Sequence, residues 1–162
     1  MHARLRSSGL YNSWYQFWYN TEHAAGNWIA PVITPSMSTY GRGMWLWDSA
    51  FHVMSLASGG VGPRSLKLAG DQLRVLIRAG GKLGHIPRVV GSVGIEETTQ
   101  PPGILTWASL VYFNRTQDTA FLAEAYVKCC NGVLLYFGPD HFLFRFLSPI
   151  LLAPRCADCS WR

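Results

Sequence analysis

The sequence predicts an all-α fold in which helical hairpins stack side by side, as they do in α/α toroids and helical solenoids. Five segments have the apolar spacing of a helix, and no segment alternates apolar and polar residues convincingly over the length of a strand. Helices that are apolar on nearly every side alternate with amphipathic helices, and long loops separate one pair from the next. This alternation predicts an inner layer of buried helices and an outer layer of half-exposed helices.

The composition is that of a globular domain. The chain has 162 residues, of which 49% are hydrophobic and 14% aromatic, enough to build a sizeable core. Its formal net charge is +5, but the basic residues are scattered and form no stripe of the kind that binds nucleic acid. The N-terminal segment lacks the apolar run of a secretory signal, and no stretch approaches the length of a membrane span. We therefore expect neither nucleic acid nor a membrane as a partner, and the cellular compartment stays open.

The first three predicted helices follow one another with two glycine-containing breaks. The first covers roughly residues 10–25, is rich in aromatic residues, and has Gly26 as the residue expected just after its end. The second begins near Asp48, a suitable N-cap or first-turn residue, and is so apolar that it must be buried on most of its circumference. The third spans about Pro63 to Ala79 and has one apolar and one charged face, as expected of an outer helix.

The last two predicted helices form a second hairpin. The fourth opens on Pro101 and Pro102, since proline is favourable in a first turn, and its sequence GILTWASLVYF is again almost wholly apolar. Asp118 is expected to cap the fifth helix, in which Glu124 and Lys128 have the spacing of an exposed ion pair.

Both long loops run from an outer helix back to the start of an inner helix, so they must open at the same end of the helical layers. One loop ends in MWLWDS, residues 44–49, and the other contains HIPRVV and TTQPP within residues 85–102. We call the end where these two segments meet the mouth. A sugar ring has apolar faces and a rim of hydroxyl groups, so its binding sites combine aromatic rings with carboxylates and amides. The mouth supplies such a mixture in six residues that we predict to bind a sugar substrate: Trp45, Trp47, Asp48, His85, Arg88 and Gln100.

Each of these residues also has a purely structural interpretation. The two tryptophans are of the type that packs in a core, and Asp48 is suited to capping the second helix. His85 is equally compatible with a surface position, Arg88 with a clamp on backbone carbonyls, and Gln100 with a helix cap. The convergence of the six residues, rather than any one of them, favours a binding site.

The sequence resembles the front half of the catalytic domain of glycoside hydrolase family 63 in four stretches: NTEHAAGNWIAPVITPS, GMWLWDSAFHV, GHIPR and TTQPPGILTWA. The relatives of that family include processing α-glucosidases of N-glycan maturation and hydrolases of glucosylglycerate and mannosylglycerate. The resemblance covers about residues 17–127. It implies a partial (α/α)6 barrel and an inverting glycosidase, and it assigns Trp45, Trp47, Asp48 and Gln100 to the sugar subsite where the bond is cut.

The resemblance also implies that the catalytic pair is missing. An inverting glycosidase needs one carboxyl group to protonate the leaving oxygen and a second, about 6.5–9.5 Å away, to activate water. In the family both lie beyond the matched part of the sequence. The acidic residues of the mouth segments are Asp48, Glu96 and Glu97, of which Asp48 resembles a binding residue and the glutamates match no catalytic position. We therefore predict no catalytic residue in this chain.

The domain is predicted to span residues 1–137, whereas residues 138–162 have neither helical period nor family motif and stay unassigned. That tail contains Cys156 and Cys159, whose C-x-x-C spacing would need two further ligands to hold zinc. No cofactor and no metal site is predicted.

Three functional classes remain open at this point. The chain is interpreted first as a fragment of an inverting exo-glycosidase that acts on α-glucosides or similar small glycosides. The alternatives are a non-catalytic carbohydrate-binding product of the same fold and a helical-repeat module that holds another protein at its aromatic mouth. Five helices leave inner faces uncovered, so self-association is also expected.

Overall fold

The computed structural model describes residues 2–36, 38, 42–59, 62–81, 84–99 and 103–137. It contains five helices: α1 (His2–Tyr19), α2 (Leu46–Ser58), α3 (Pro63–Ala79), α4 (Gly103–Thr116) and α5 (Thr119–Phe137). Between them lie five short strands: β1 (Thr21–Glu22), β2 (Val32–Ile33), β3 (Gly43–Trp45), β4 (Pro87–Gly91) and β5 (Ile95–Thr99).

The prediction of an all-α fold, and with it of a partial (α/α)6 barrel, is wrong, because the described residues form a mixed α/β structure. The strands make two antiparallel sheets, one of β1 and β2 and one in the order β3-β4-β5. Four of the strands lie in the segments interpreted as long loops, and β1 lies at the end of the first predicted helix. Each strand has only two to five residues, so its alternation is too short to distinguish from a loop by periodicity.

Helix α1 begins at His2 and ends at Tyr19, so both its start and its end come earlier than the predicted range of roughly residues 10–25. The Thr21 hydroxyl donates to Phe17 O at 2.7 Å, which satisfies a carbonyl of the last helical turn. Thr21 then pairs with Ile33 and Glu22 with Val32. The segment therefore leaves the helix to join a two-stranded sheet.

Gly26 lies in a tight turn and not at the end of a helix, so its predicted role is corrected too. Its φ of 55° is left-handed, and a Cβ there would come within 1.9 Å of Ser92 O. Both facts favour glycine. The turn is fastened to the second sheet by Asn27 N, which donates to Ser92 O at 2.9 Å, and by Trp28 Nε1, which donates to Val90 O at 2.8 Å.

The other helix positions agree with the sequence. Helix α3 has the predicted bounds and α2 begins two residues before Asp48. Helix α4 is described from Gly103, and the predicted opening on Pro101 and Pro102 lies outside the described residues. Asp118 caps α5, since Phe121 N donates to its Oδ1 at 2.9 Å. This bond, followed by the nearby Arg74 guanidinium, lowers the pKa of the Asp118 carboxyl.

Helix α3 lies at the centre of the core and contacts α2, α4, α5, β2 and β4. The apolar residues that it buries are Leu68, Ala69, Leu73, Val75, Leu76 and Ile77. Val53 of α2, Leu105 of α4 and Phe121 of α5 belong to the same cluster. The helix is thus more enclosed than the outer helix that the sequence predicted, because strands β2 and β4 cover part of its surface.

Helices α2 and α4, which were expected to be buried on most sides, each leave an apolar side uncovered in the described structure. On α2 the exposed rings are Trp47, at 57% of its maximal accessible area, and Phe51, at 48%. On α4 Trp107 is 64% exposed. The two helices pack against each other, so their exposed rings lie on neighbouring elements.

Ion pairs join α3 to the second hairpin. Arg74 Nη2 lies 2.6 Å from Asp118 Oδ2, and Arg78 Nε lies 2.6 Å from Glu124 Oε1. Lys128 Nζ instead donates to the carbonyls of Gly80 at 3.0 Å and Gly81 at 2.6 Å. The predicted pair of Glu124 with Lys128 is therefore wrong, since both side chains reach across to α3 and the turn behind it.

The double role of Asp118 predicts a graded response to substitution. Asp118→Ala removes both the cap of α5 and the pair with Arg74, and we expect it to lower the free energy of unfolding by about 1–2 kcal/mol. Asp118→Asn keeps a good capping side chain and loses only the charge, so its loss should be clearly smaller. Urea denaturation of both variants measures the difference. Equal losses would contradict a capping role for this side chain.

Candidate functional site

Strand pairing brings the two mouth segments together. Trp45 of β3 is opposite Val89 of β4, and Pro87 of β4 is opposite Thr99 of β5. Helix α2 follows β3 directly, and β4 follows the turn at the end of α3, where Gly81 N donates to His85 O at 2.8 Å. The start of α2 and the end of α3 therefore lie at one end of the hairpin, next to the three-stranded sheet.

Three side chains of this sheet form a connected cluster, which we call the indole-arginine cluster: Trp45, Arg88 and Glu96. The Arg88 guanidinium lies over the Trp45 ring, 5.5 Å from its centroid, in a cation–π arrangement. Its Nη2 donates to the Glu96 carboxylate, which also accepts a hydrogen bond from the Thr98 hydroxyl at 3.2 Å. The salt bridge thus fixes the guanidinium against the indole.

The Arg88 side chain retains one donor without a partner. Its Nε is buried and meets no hydrogen-bond acceptor among the described residues. A buried donor of this kind is normally satisfied by a protein group, a water molecule or a ligand oxygen. Among the described residues, the partners of the Arg88 guanidinium are a carboxylate and an aromatic ring and no backbone carbonyl.

Asp48 is the third residue of α2 and lies in its first turn, where the positive end of the helix dipole favours a carboxylate. The N-cap position is occupied by Trp45, with no side-chain capping bond. Burial raises the pKa of the Asp48 carboxyl, and a hydrogen bond from its own backbone amide opposes that rise. No described cation forms an ion pair with Asp48. Its carboxylate is thus partly desolvated without a counter-charge, as is common at binding sites.

Trp47 points away from the core. It is 57% exposed and meets Phe51 edge to face, with ring centroids 5.8 Å apart. Trp47 is therefore not a core residue, which was the structural interpretation offered for both mouth tryptophans. Trp45 is half-buried.

The remaining two predicted residues are less closely defined. His85 is half-buried in the turn before β4, where its carbonyl accepts from Gly81, so its backbone lies at the mouth. Gln100 lies outside the described residues, one position beyond the end of β5. The structure thus brings Trp45 and Arg88 into contact, with Trp47 and Asp48 on the adjoining helical turn.

Sequence reasoning missed two features of this end of the molecule. Glu96 was noted only as an acidic residue, and its pairing with Arg88 depends on the β4–β5 register, for which the sequence IEETT gives no alternating signal. His52 of α2 was overlooked as well. It packs edge to face on Phe17 with ring centroids 5.3 Å apart, and desolvation lowers its pKa to about 4.

The described residues contain no group of three or more histidine, cysteine or carboxylate side chains arranged to hold a metal ion. Of the helices that the structure describes, none combines the length and the apolar composition of a membrane span. A scan against protein-family models finds no match to this chain, and a search of curated proteins finds no relative.

The burial of His52 predicts acid sensitivity. Its folded-state pKa of about 4 lies below the unfolded value of 6.5, so the unfolded chain binds the proton first as the pH falls. The free energy of unfolding is therefore unaffected by protonation of His52 above pH 6.5. It falls by up to about 3 kcal/mol as the pH decreases from 6.5 to 4, because protonation of His52 favours the unfolded chain. We expect His52→Gln to flatten this part of a stability-against-pH curve measured with urea. The matched change His23→Gln, at an exposed histidine, should leave the curve as it is, and an unchanged curve for His52→Gln would contradict the assignment.

Proposed function

We propose that the chain is an N-terminal portion of an inverting exo-glycosidase of the family 63 type, and that its mouth binds α-glucosides or similar small glycosides without cleaving them. The substrate-binding residues of the proposal are those predicted from the sequence. Gln100 belongs to it by the resemblance and His85 by its place in the mouth segment, and the other four have a geometry that supports it.

The observation that carries the proposal is the indole-arginine cluster beside Trp47 and Asp48. In the proposed complex the exposed face of Trp47 packs against the apolar face of a pyranose ring. The Asp48 carboxylate accepts hydrogen bonds from sugar hydroxyl groups, and the Arg88 guanidinium, oriented by Glu96, donates to sugar oxygens. A partly buried carboxylate without an ion-pair partner gains most from such hydroxyl donors, because they replace the water that it has lost.

The same geometry argues against hydrolysis by this chain. The carboxylates described at the mouth are Asp48 and Glu96, and Glu96 is engaged by Arg88 and Thr98. Well-placed general acids and bases typically contribute 10²–10⁴-fold each. The described part of the mouth has binding groups and no such pair, so it offers only ground-state affinity, which does not lower the barrier for cleavage.

Sugar binding is tested by titrating the chain with methyl α-glucoside and recording affinity by calorimetry. We expect Trp47→Ala and Asp48→Ala each to weaken binding at least tenfold, because one removes the stacking surface and the other the hydroxyl acceptor. Tyr19→Ala is the control, since Tyr19 is a 64% exposed aromatic residue on α1. An equal loss in the control, or no loss in either mouth variant, would refute the site.

Catalysis is tested separately by measuring the release of free sugar. We expect none from α-glucosyl oligosaccharides, glucosylglycerate or mannosylglycerate with the 162-residue chain. Joining residues 1–137 to an in-frame continuation from a family 63 enzyme should restore hydrolysis. In that enzyme Asp48→Ala should reduce kcat/KM by the equivalent of about 2–4 kcal/mol. If the 162-residue chain releases sugar and Asp48→Ala abolishes that release, the chain is catalytic and the proposal is wrong.

Exposure of the α2 and α4 rings favours a second property, association with another copy of the chain. Trp47, Phe51 and Trp107 are each about half exposed or more, and apolar groups of this size are seldom left uncovered together. We expect the sedimentation coefficient to rise with concentration. Replacing the three rings by serine should abolish the rise, whereas the matched replacement of Tyr11, Tyr15 and Tyr19 on α1 should preserve it. A monomer at every concentration would exclude this association.

A further inference from the structure

A cavity of about 380 Å³ lies away from the mouth, between the end of α1, the strand β1 and the first half of α3. Its volume falls within the range of small-molecule sites in proteins. Apolar wall groups come from Trp18, Pro31 and Leu68, and basic groups come from His23, Arg64 and Lys67. The cavity therefore combines a flat apolar surface with the cationic side chains of Arg64 and Lys67.

The position of the cavity along α3 separates it from the mouth. Arg64 is the second residue of α3, whereas the mouth begins beyond Ala79, at the other end of the helix. Fifteen residues of helix correspond to about 22 Å. The two places are therefore distinct sites.

Arg64 differs from most other arginines of the described structure in its partner. Arg42, Arg74, Arg78 and Arg88 each lie within 4.0 Å of a carboxylate. The Arg64 guanidinium instead lies over the Trp18 ring, 4.9 Å from its centroid, and no described carboxylate forms an ion pair with it. Stacking on an indole orients a guanidinium while leaving its hydrogen-bond donors available at the edge.

The one carboxylate in the cavity wall is already neutralised. Asp71 Oδ2 lies 2.6 Å from Lys67 Nζ in an i,i+4 ion pair. With that pair formed, the formal charge that remains among the lysine, arginine and carboxylate side chains of the lining is the single positive charge of Arg64. The cavity thus attracts an anion and has no unpaired carboxylate to repel it.

We propose that this cavity binds a small organic anion, whose carboxylate or phosphate group pairs with Arg64 and whose flat apolar part packs against Trp18, Pro31 and Leu68. The guanidinium fork matches the two oxygens of either group. Lys67 and His23 provide further donors for the more highly charged phosphate. The affinity decreases with ionic strength, because the recognised charge is close to the surface.

The test uses the full chain and three aromatic probes that share a ring: phenyl phosphate, benzoate and neutral benzyl alcohol. Binding is followed by NMR through the indole N–H resonance of Trp18, assigned with Trp18→Phe, and the Trp47 resonance reports on the mouth. We expect phenyl phosphate or benzoate to shift the Trp18 resonance saturably and benzyl alcohol to have no effect. The tighter of the two anions identifies the ligand group as phosphate or carboxylate.

Two substitutions make the test specific. Arg64→Gln should weaken anion binding at least tenfold, whereas Arg115→Gln, at an exposed arginine on the last turn of α4, should change it less than twofold. Lys67→Gln should weaken phenyl phosphate more than benzoate. The proposal is overturned if no anion shifts the Trp18 resonance, if benzyl alcohol binds as well as the anions, or if Arg64→Gln and Arg115→Gln have the same effect.

Discussion

The antiparallel pairing of β3 with β4 fixes where the helices begin and end. Strand β3 leads directly into α2, and β4 follows the turn after α3. Their pairing therefore holds the start of α2 next to the end of α3. The turn around Gly26 adds a further constraint, because Asn27 and Trp28 bond to the carbonyls of residues at the end of β4. The long segments between helices are therefore ordered by backbone bonds that hold side chains such as Trp45 and Arg88 in contact.

Helix α3 depends on that arrangement for its burial. The sheets cover one part of it, α2 and α4 another, and α5 is held by the ion pairs of Arg74 and Arg78. The helix also carries Gln72, which is fully buried and has no side-chain hydrogen-bond partner among the described residues. Such a group costs free energy unless it is satisfied, so the apolar packing of the rest of α3 has to offset it.

The helices could be predicted from the sequence much better than the strands. The bounds of α3 followed from a proline at its start and an amphipathic period. The capping of α5 by Asp118 followed from the side-chain type at that position. The strands could not be predicted, because pairing of two to five residues is decided by the partner strand and not by the local pattern. The same reason explains two errors in the charge pairs. Glu124 has a suitable neighbour in sequence, Lys128, but tertiary packing offers it Arg78. The pair of Arg88 with Glu96 was missed because it forms between two strands.

For the site, residue types were predictable and their mutual geometry was not. The sequence indicated that Trp45 and Arg88 belong to one end of the molecule, whereas their stacking and the part played by Glu96 depend on strand register. Exposure of Trp47 could not be predicted either. Its helix is apolar on nearly every side, so the pattern alone does not indicate which side faces the core. That exposed side is the most informative result for function. The described structure leaves aromatic rings exposed on α2 and α4, which a sugar face, a second copy or another stretch of polypeptide would bury. The partly desolvated carboxylate of Asp48 beside these rings is the reason that a sugar is the proposed ligand, because sugar hydroxyl groups would satisfy it, whereas an apolar interface would bury that charge further at a cost.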